Sequence, residues 1–296
     1  MGNIANLALF AIVVVTWSTT WTAMSIAVDT IPPITATALR FLIASPILIV
    51  MAKVKKAPLL FPPGQRGFQV FLTIGYFAVP VALIMYGEKH VNPGLAALIF
   101  ANMPVVVLLL SAILLKEKIY FSKLTGLVLA WVALSLILRI ELDWSSFDDY
   151  LAPAALLLAV LMHGFAYVSI KKRCCSVPIL TFNALPCTMA GISLLVLSLI
   201  SESPSFDRFS GASIAAISYL GLVANVIGVM CFFWLQRRTT AFSASLTFVA
   251  FPIFAIVLDG FITGRSLNAV SWILLAPLLV GLLIMTYSPK ESRASS

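Results

Sequence analysis

Charge is what this 296-residue chain has least of. Only 10% of its residues are Asp, Glu, Lys or Arg, against roughly 25% in a typical soluble protein. A solvated globular surface cannot be built from so little. Histidine is nearly missing too: His90 and His163 are the only two. No H-E-x-x-H pair, aspartate pair or nucleophile–base set can be assembled, which argues against a membrane-embedded enzyme and against a resident metal or cofactor. The four cysteines, Cys174, Cys175, Cys187 and Cys231, lack C-x-x-C spacing, and adjacent cysteines rarely pair, so free thiols are expected. The first apolar stretch has neither a basic leader nor a small-residue cleavage site, so it is read as a retained helix. Long polar connections are also missing, which leaves no room for a separate soluble domain.

What remains is apolar: 61% of the residues are hydrophobic and the mean hydropathy is +1.07. They fall into ten runs of membrane-spanning length, at 4–27, 34–52, 68–87, 94–115, 123–140, 150–170, 178–200, 213–235, 241–262 and 268–287. Runs this long and unalternating are helices, because lipid offers nothing else to satisfy backbone polar groups. The expectation is an all-α integral membrane protein with ten transmembrane helices. Fourteen of the 19 Lys and Arg fall on one side: Lys53, Lys55, Lys56, Arg66, Lys116, Lys118, Lys123, Lys171, Lys172, Arg173, Arg237, Arg238, Lys290 and Arg293. The positive-inside rule makes that side, and both termini, cytoplasmic. The net charge of +8 is then a topology signal facing anionic lipid, not a nucleic-acid footprint.

The chain also repeats weakly at half its length. A shift of 148 residues lays Ala96 on Ala244, Leu98 on Leu246, Phe100 on Phe248 and Pro104 on Pro252. Five spans per half is an odd number, so corresponding spans run in opposite directions. Two inverted five-helix repeats are expected: 1–140 and 150–288, joined by an outer linker at 141–149 and followed by a cytoplasmic tail at 289–296. Such pairs suit alternating access, with substrate bound near the midplane.

Polar and aromatic residues within spans are the candidate substrate contacts. His163 and Tyr167 lie in the sixth span, Asn102 in the fourth, Asn225 in the eighth and Arg40 in the second. Arg40 can fork a carboxylate or snorkel to the interface. His163 can face a lumen or merely bond a neighbouring helix. Trp17, Trp21, Tyr76, Tyr86 and Phe251 offer flat apolar walls and cation–π contact, with core or lipid packing as the plainer reading. Asn183 in the seventh span is another buried polar candidate, and Trp144 and Trp272 read as interface anchors. Pro104 and Pro252 are candidate hinges. No Asp or Glu sits near a span centre; Glu88 and Asp259 lie near outer ends. That pattern favours uncoupled facilitated diffusion. The alternative is a proton-coupled efflux carrier that uses His163.

The stretch from Asn92 through Pro104 to Glu117 and Gly126 is similar to span four of the drug/metabolite transporter superfamily, EamA type. Val15 to Trp21 resembles the first helix of that family, Pro32 to Phe41 the second, and Ala241 to Pro252 the ninth. The likeness spans essentially the whole chain, with one departure: Arg265 stands where the second half would repeat Glu117. Within the superfamily the chain looks most like YddG-type amino-acid exporters. The resemblance implies an inner-membrane protein that exports small amino acids or related metabolites, aromatic ones included. Its partners would be a small-molecule substrate and the lipid bilayer.

Overall fold

The computed structural model describes residues 2–116, 121–141, 147–264 and 267–286. Glu117, Trp144, Arg265 and the tail at 289–296 lie outside the described residues, as does most of the 141–149 linker. Among the described residues the chain is helical, with no strand. The first and second spans are α1 (Gly2–Thr30) and α2 (Pro33–Val54). The third is α3 (Arg66–Leu72), a π-helical segment (Thr73–Ala78) and α4 (Val79–His90). The fourth is broken into α5 (Pro93–Phe100) and α6 (Met103–Leu114). Single helices make the fifth, sixth and seventh: α7 (Phe121–Glu141), α8 (Phe147–Arg173) and α9 (Ile179–Ser201). The eighth runs through α10 (Gly211–Tyr219), a second π-helical segment (Leu220–Gly228) and α11 (Val229–Arg238). The ninth is α12 (Ala241–Ser245) and α13 (Thr247–Thr263), and α14 (Ala269–Thr286) closes the fold.

Nine of these helical runs are long and apolar enough to cross a membrane, and a tenth apolar helix is described over the shorter range Ala269–Gly281. The molecule is thus a multi-pass membrane protein. One end of the bundle carries Lys53, Lys55, Lys171–Arg173, Arg237 and Arg238 and is called the basic end here; the other carries Asp29, Glu88, Glu202 and Asp259 and is called the acidic end.

Helix packing follows the half-length repeat. The broadest interfaces pair α7 with α14 and α2 with α9, the fifth span with the tenth and the second with the seventh. The first span packs on the ninth as the sixth packs on the fourth. Without a hydrophobic drive between helices in lipid, small residues decide how closely they approach. At α14, a Cβ on Gly281 would stand 2.6 Å from the Gly126 carbonyl oxygen and 2.7 Å from the Ala130 nitrogen of α7. Only glycine fits there.

Local features repeat at the same offset. The fourth span opens with Asn92, whose Oδ1 accepts from the Leu95 N–H at 2.8 Å; the ninth opens with Thr240, whose Oγ1 accepts from the Ser243 N–H at 2.9 Å. Both are N-caps, and they stand 148 residues apart. The first π-helical segment, moved by the same 148, falls inside the second. The span breaks match less well. Pro104 sits in the first turn of α6, just past the break at Ala101 and Asn102, where a missing N–H costs nothing. Pro252 lies within continuous α13, beyond the break at Leu246.

Candidate functional site

Seven spans surround a central cavity of about 100 Å³, room for several waters. Its walls are Trp17, Thr20, Trp21 and Met24 of α1, Arg40 and Phe41 of α2, and Tyr76, Phe77, Val81 and Ile84 of the third span. Phe100, His163, Tyr167, Ala224, Asn225, Val229, Phe248 and Phe251 complete them. All but Trp17 and Val229 are buried.

The π-helical segments explain how the third and eighth spans reach the cavity. A π turn inserts one extra residue and re-aims the side chains on it, and such bulges concentrate at functional sites. Tyr76 and Phe77 stand on the first segment, Ala224 and Asn225 on the second, and all four face the cavity. They occupy equivalent positions at the 148-residue offset, as do Phe100 and Phe248.

The polar chemistry is concentrated in two places. Arg40 does not snorkel. Its Nη2 donates to Asn225 Oδ1 at 2.8 Å and its Nη1 contacts Met24 Sδ at 3.5 Å. The residue is 6% exposed, its Nε and the Asn225 Nδ2 have no hydrogen-bond partner, and no carboxylate pairs with it among the described residues. A buried guanidinium with no anion is costly to keep. In the second place, His163 Nε2 lies 3.1 Å from the Tyr76 carbonyl oxygen. A carbonyl only accepts, so Nε2 carries the proton; Nδ1 has no partner. His163 stacks on Tyr167 at 5.8 Å and meets Tyr76 edge-on at 5.2 Å.

Rings make up most of the remaining wall. Trp21 stacks on Phe251 at 5.8 Å and leans on Phe100 at 4.8 Å; Trp17 packs against Phe232 and Phe248 at 5.0 and 5.1 Å. Gly228 makes room for the Trp17 indole, since a Cβ there would stand 2.8 Å from its Nε1. Toward the basic end, Tyr167, Phe232 and Phe233 pack on one another, with Tyr167 and Phe232 centroids 4.7 Å apart. Beyond Phe233 lies a pocket of about 260 Å³ lined by Lys171, Cys174, Cys175, Phe182, Gln236 and Arg237 among others. There Lys171 Nζ donates to the Gln236 and Thr239 carbonyls, and Arg237 donates to those of Cys174 and Val177. Burial pushes the Cys174 thiol up to about 12, against the opposing pull of the Arg237 charge.

Eight of the residues singled out in the sequence therefore line one cavity: Trp17, Trp21, Arg40, Tyr76, His163, Tyr167, Asn225 and Phe251. Tyr86 and Asn102 lie outside its lining. Tyr86 packs on His90 at 4.8 Å, and Asn102 Nδ2 donates to the Ile99 carbonyl of its own span at 2.9 Å. Asn183 likewise donates to Ile179 of its own helix, and Trp272 is 43% exposed on the bundle surface. Sequence reading missed Thr20, Met24, Phe41, Phe77, Val81, Ile84, Ala224 and Val229, which carry no mark that separates them from packing residues. Phe100 was legible as the repeat mate of Phe248.

The sequence profile of the EamA-like transporter family matches this chain twice, over residues 5–139 and 151–287. The chain belongs to that family. Among its relatives, Protein PagO of Salmonella typhimurium is 46% identical over 96% of this chain and 93% of its own. A transporter of Buchnera aphidicola from Schizaphis graminum is 43% identical, covering 96% of this chain and 95% of that one. The inner membrane transporter YedA of Escherichia coli K12 is 24% identical over 94% and 89%. A solved crystal structure 17% identical to the chain shares its fold, with a TM-score of 0.72 over 96% of both chains. The two matched ranges fall on the two halves of the chain. This EamA-like chain is therefore a membrane transporter, and the inner-membrane description of its relative YedA fits a bacterial inner membrane.

Proposed function

We propose that this EamA-like protein exports small zwitterionic, partly apolar metabolites, amino acids and aromatic amino acids among them, through the central cavity. The single observation that carries the reading is the Arg40 guanidinium: buried, held by the neutral Asn225 and short of a carboxylate, in a chamber otherwise walled by rings. A substrate carboxylate would supply the missing anion through a charge-assisted, bidentate pair. The ammonium would meet the faces of Trp21 or Phe251, and an apolar side chain would fill the rest.

The transport cycle we infer is alternating access by two inverted five-helix repeats, with the basic end cytoplasmic. Its support is the odd span count per unit, the pairwise packing of equivalent spans and the one-sided distribution of Lys and Arg. Uncoupled facilitated diffusion is favoured over exchange against protons through His163, because no Asp or Glu is among the residues that line the cavity.

Counterflow of radiolabelled phenylalanine in proteoliposomes tests this reading. Competition by free α-amino acids is expected, with phenylalaninamide and phenethylamine failing to compete. Equal competition by the amine and the free acid would sink the carboxylate assignment.

A further inference from the structure

Two carboxylates lie where the sequence placed span ends, yet both are buried: Glu88 is 3% exposed and Asp259 is 5% exposed. They lie toward the acidic end, beyond the residues that line the cavity. Glu88 stands one turn above Ile84, a wall residue, on the same face of α4. Asp259 stands two turns beyond Phe251 on α13. Its Oδ2 accepts from the Gly94 N–H at the head of the fourth span, at 3.3 Å. Gly94 follows Glu88 by six residues, so this bond brings Asp259 to the turn where α4 gives way to the fourth span, and neither Glu88 oxygen has a hydrogen-bond partner.

The repeat makes this pair stand out. At the 148-residue offset Glu88 corresponds to Gln236 and Asp259 to Ser111. Both mates are buried near the basic end, at 2% and 0% exposure, and Gln236 Nε2 donates to the Tyr167 carbonyl at 3.2 Å. The fold thus buries polar side chains at equivalent positions toward both ends, but only those toward the acidic end are carboxylates.

We propose that Glu88 and Asp259 form a proton-binding site that operates the gate at the acidic end. A bare carboxylate without donors, beside a second one, is too costly to shut away from water. The closed end therefore holds a proton on the pair. Separation of the third, fourth and ninth spans lets water in, the proton leaves to that solution, and two like charges then resist reclosure. Other ionisable groups come from the elements around α4. Asp29 of α1, Lys89 and His90 of α4 itself and Tyr150 of α8 are all exposed. Asp148 and Asp149 fall in the first turn of α8. Arg40 of α2 is engaged by Asn225, while His163 Nε2 is engaged by the Tyr76 carbonyl and Tyr167 stacks on the His163 ring. No cation is hydrogen-bonded to Glu88 among the described residues. Release of the proton to the cell exterior follows from the orientation proposed above, but the gate itself does not depend on it or on the substrate.

The test uses the full-length protein in proteoliposomes without substrate, with its four cysteines replaced by serine and a reporter thiol at Ile84→Cys. A polar thiol reagent is present on both sides, and an Asp29→Cys reporter records the reagent's own pH dependence. Relative to that control, Ile84→Cys labelling is expected to rise about tenfold between pH 5.5 and 8.5, a bias of about 1.4 kcal/mol. Glu88→Gln should abolish the rise, and Asp259→Asn should reduce it. A rise that survives in the Glu88→Gln, Asp259→Asn double variant overturns the proposal, as does labelling that tracks the control. If the variants do not fold, infrared spectra of the unmutated protein decide: a protonated-carboxyl band persisting at pH 7 supports the site, and none overturns it. Because no substrate is present, this outcome is independent of the Arg40 assignment.

Discussion

Arg40 on the second span and Asn225 on the eighth meet at 2.8 Å, joining the two family-matched halves of the chain in the cavity wall by a hydrogen bond to a buried charge. Removing the Asn225 acceptor leaves the guanidinium bound only to the Met24 sulfur. Asn225→Leu should lower stability by about 1.5–3 kcal/mol, the range for hydrogen bonds to charged groups, read as a fall in melting temperature of the purified protein in detergent. Arg40→Lys keeps the charge but loses the planar fork. It should raise the apparent KM for phenylalanine counterflow about tenfold or more with little change in kcat, the pattern of lost ground-state binding.

His163 separates two transport schemes. If its task is to donate to the Tyr76 carbonyl on the π-helical segment, His163→Gln should keep most of the counterflow and the wild-type pH profile. His163→Phe removes the donor and leaves a buried carbonyl unsatisfied, at a cost of about 1–3 kcal/mol. A counterflow pH profile between pH 5.5 and 8 that changes in His163→Gln would instead favour proton exchange through the imidazole.

Gly281 tests how tightly the fifth and tenth spans are joined. The added methyl of Gly281→Ala meets backbone atoms of α7, which cannot swing aside as a side chain can. Destabilisation of about 1–3 kcal/mol is expected, seen as a lower melting temperature. Gly211→Ala, where nothing lies within 4 Å of the added methyl, is the matched control.

The neighbouring thiols report orientation. Cys175 is exposed, whereas the buried Cys174 thiol is pushed up to about 12. Thiolate is the reactive form, so Cys174 stays protonated throughout the range in which maleimides are used. At pH 7.5 a membrane-impermeant maleimide should label Cys175 alone. Labelling should need access to the cytoplasmic face and vanish in Cys175→Ser. Labelling of intact cells from outside would invert the proposed topology.

How much of this could be read beforehand differs between fold and site. The spans were legible because a bilayer demands long apolar helices, and the repeat was legible from Phe100, Phe248 and their neighbours. Arg40, His163 and Asn225 stood out because polar groups inside lipid are rare. Glu88 and Asp259 do lie near span ends, as the sequence places them, but their burial was not legible there. Distance from the end of a span measures depth along the helix, not whether neighbouring helices cover the side chain, and here they do. Tyr86 and Asn102 had the right residue type and depth but the wrong face. Nor did any residue announce the π-helical turns at Thr73–Ala78 and Leu220–Gly228, which come from tertiary packing and decide where Tyr76 and Asn225 point.

Those two widened turns have a mechanical consequence. Converting one of them to ordinary α geometry would release a single residue and swivel the helix beyond it by about 100°, with no bond in the flanking helices broken. For the third span the part that swivels is α4, which carries both Ile84 and Glu88. A ratchet of one residue would thus turn a wall and its lid together, as a key turns a bolt.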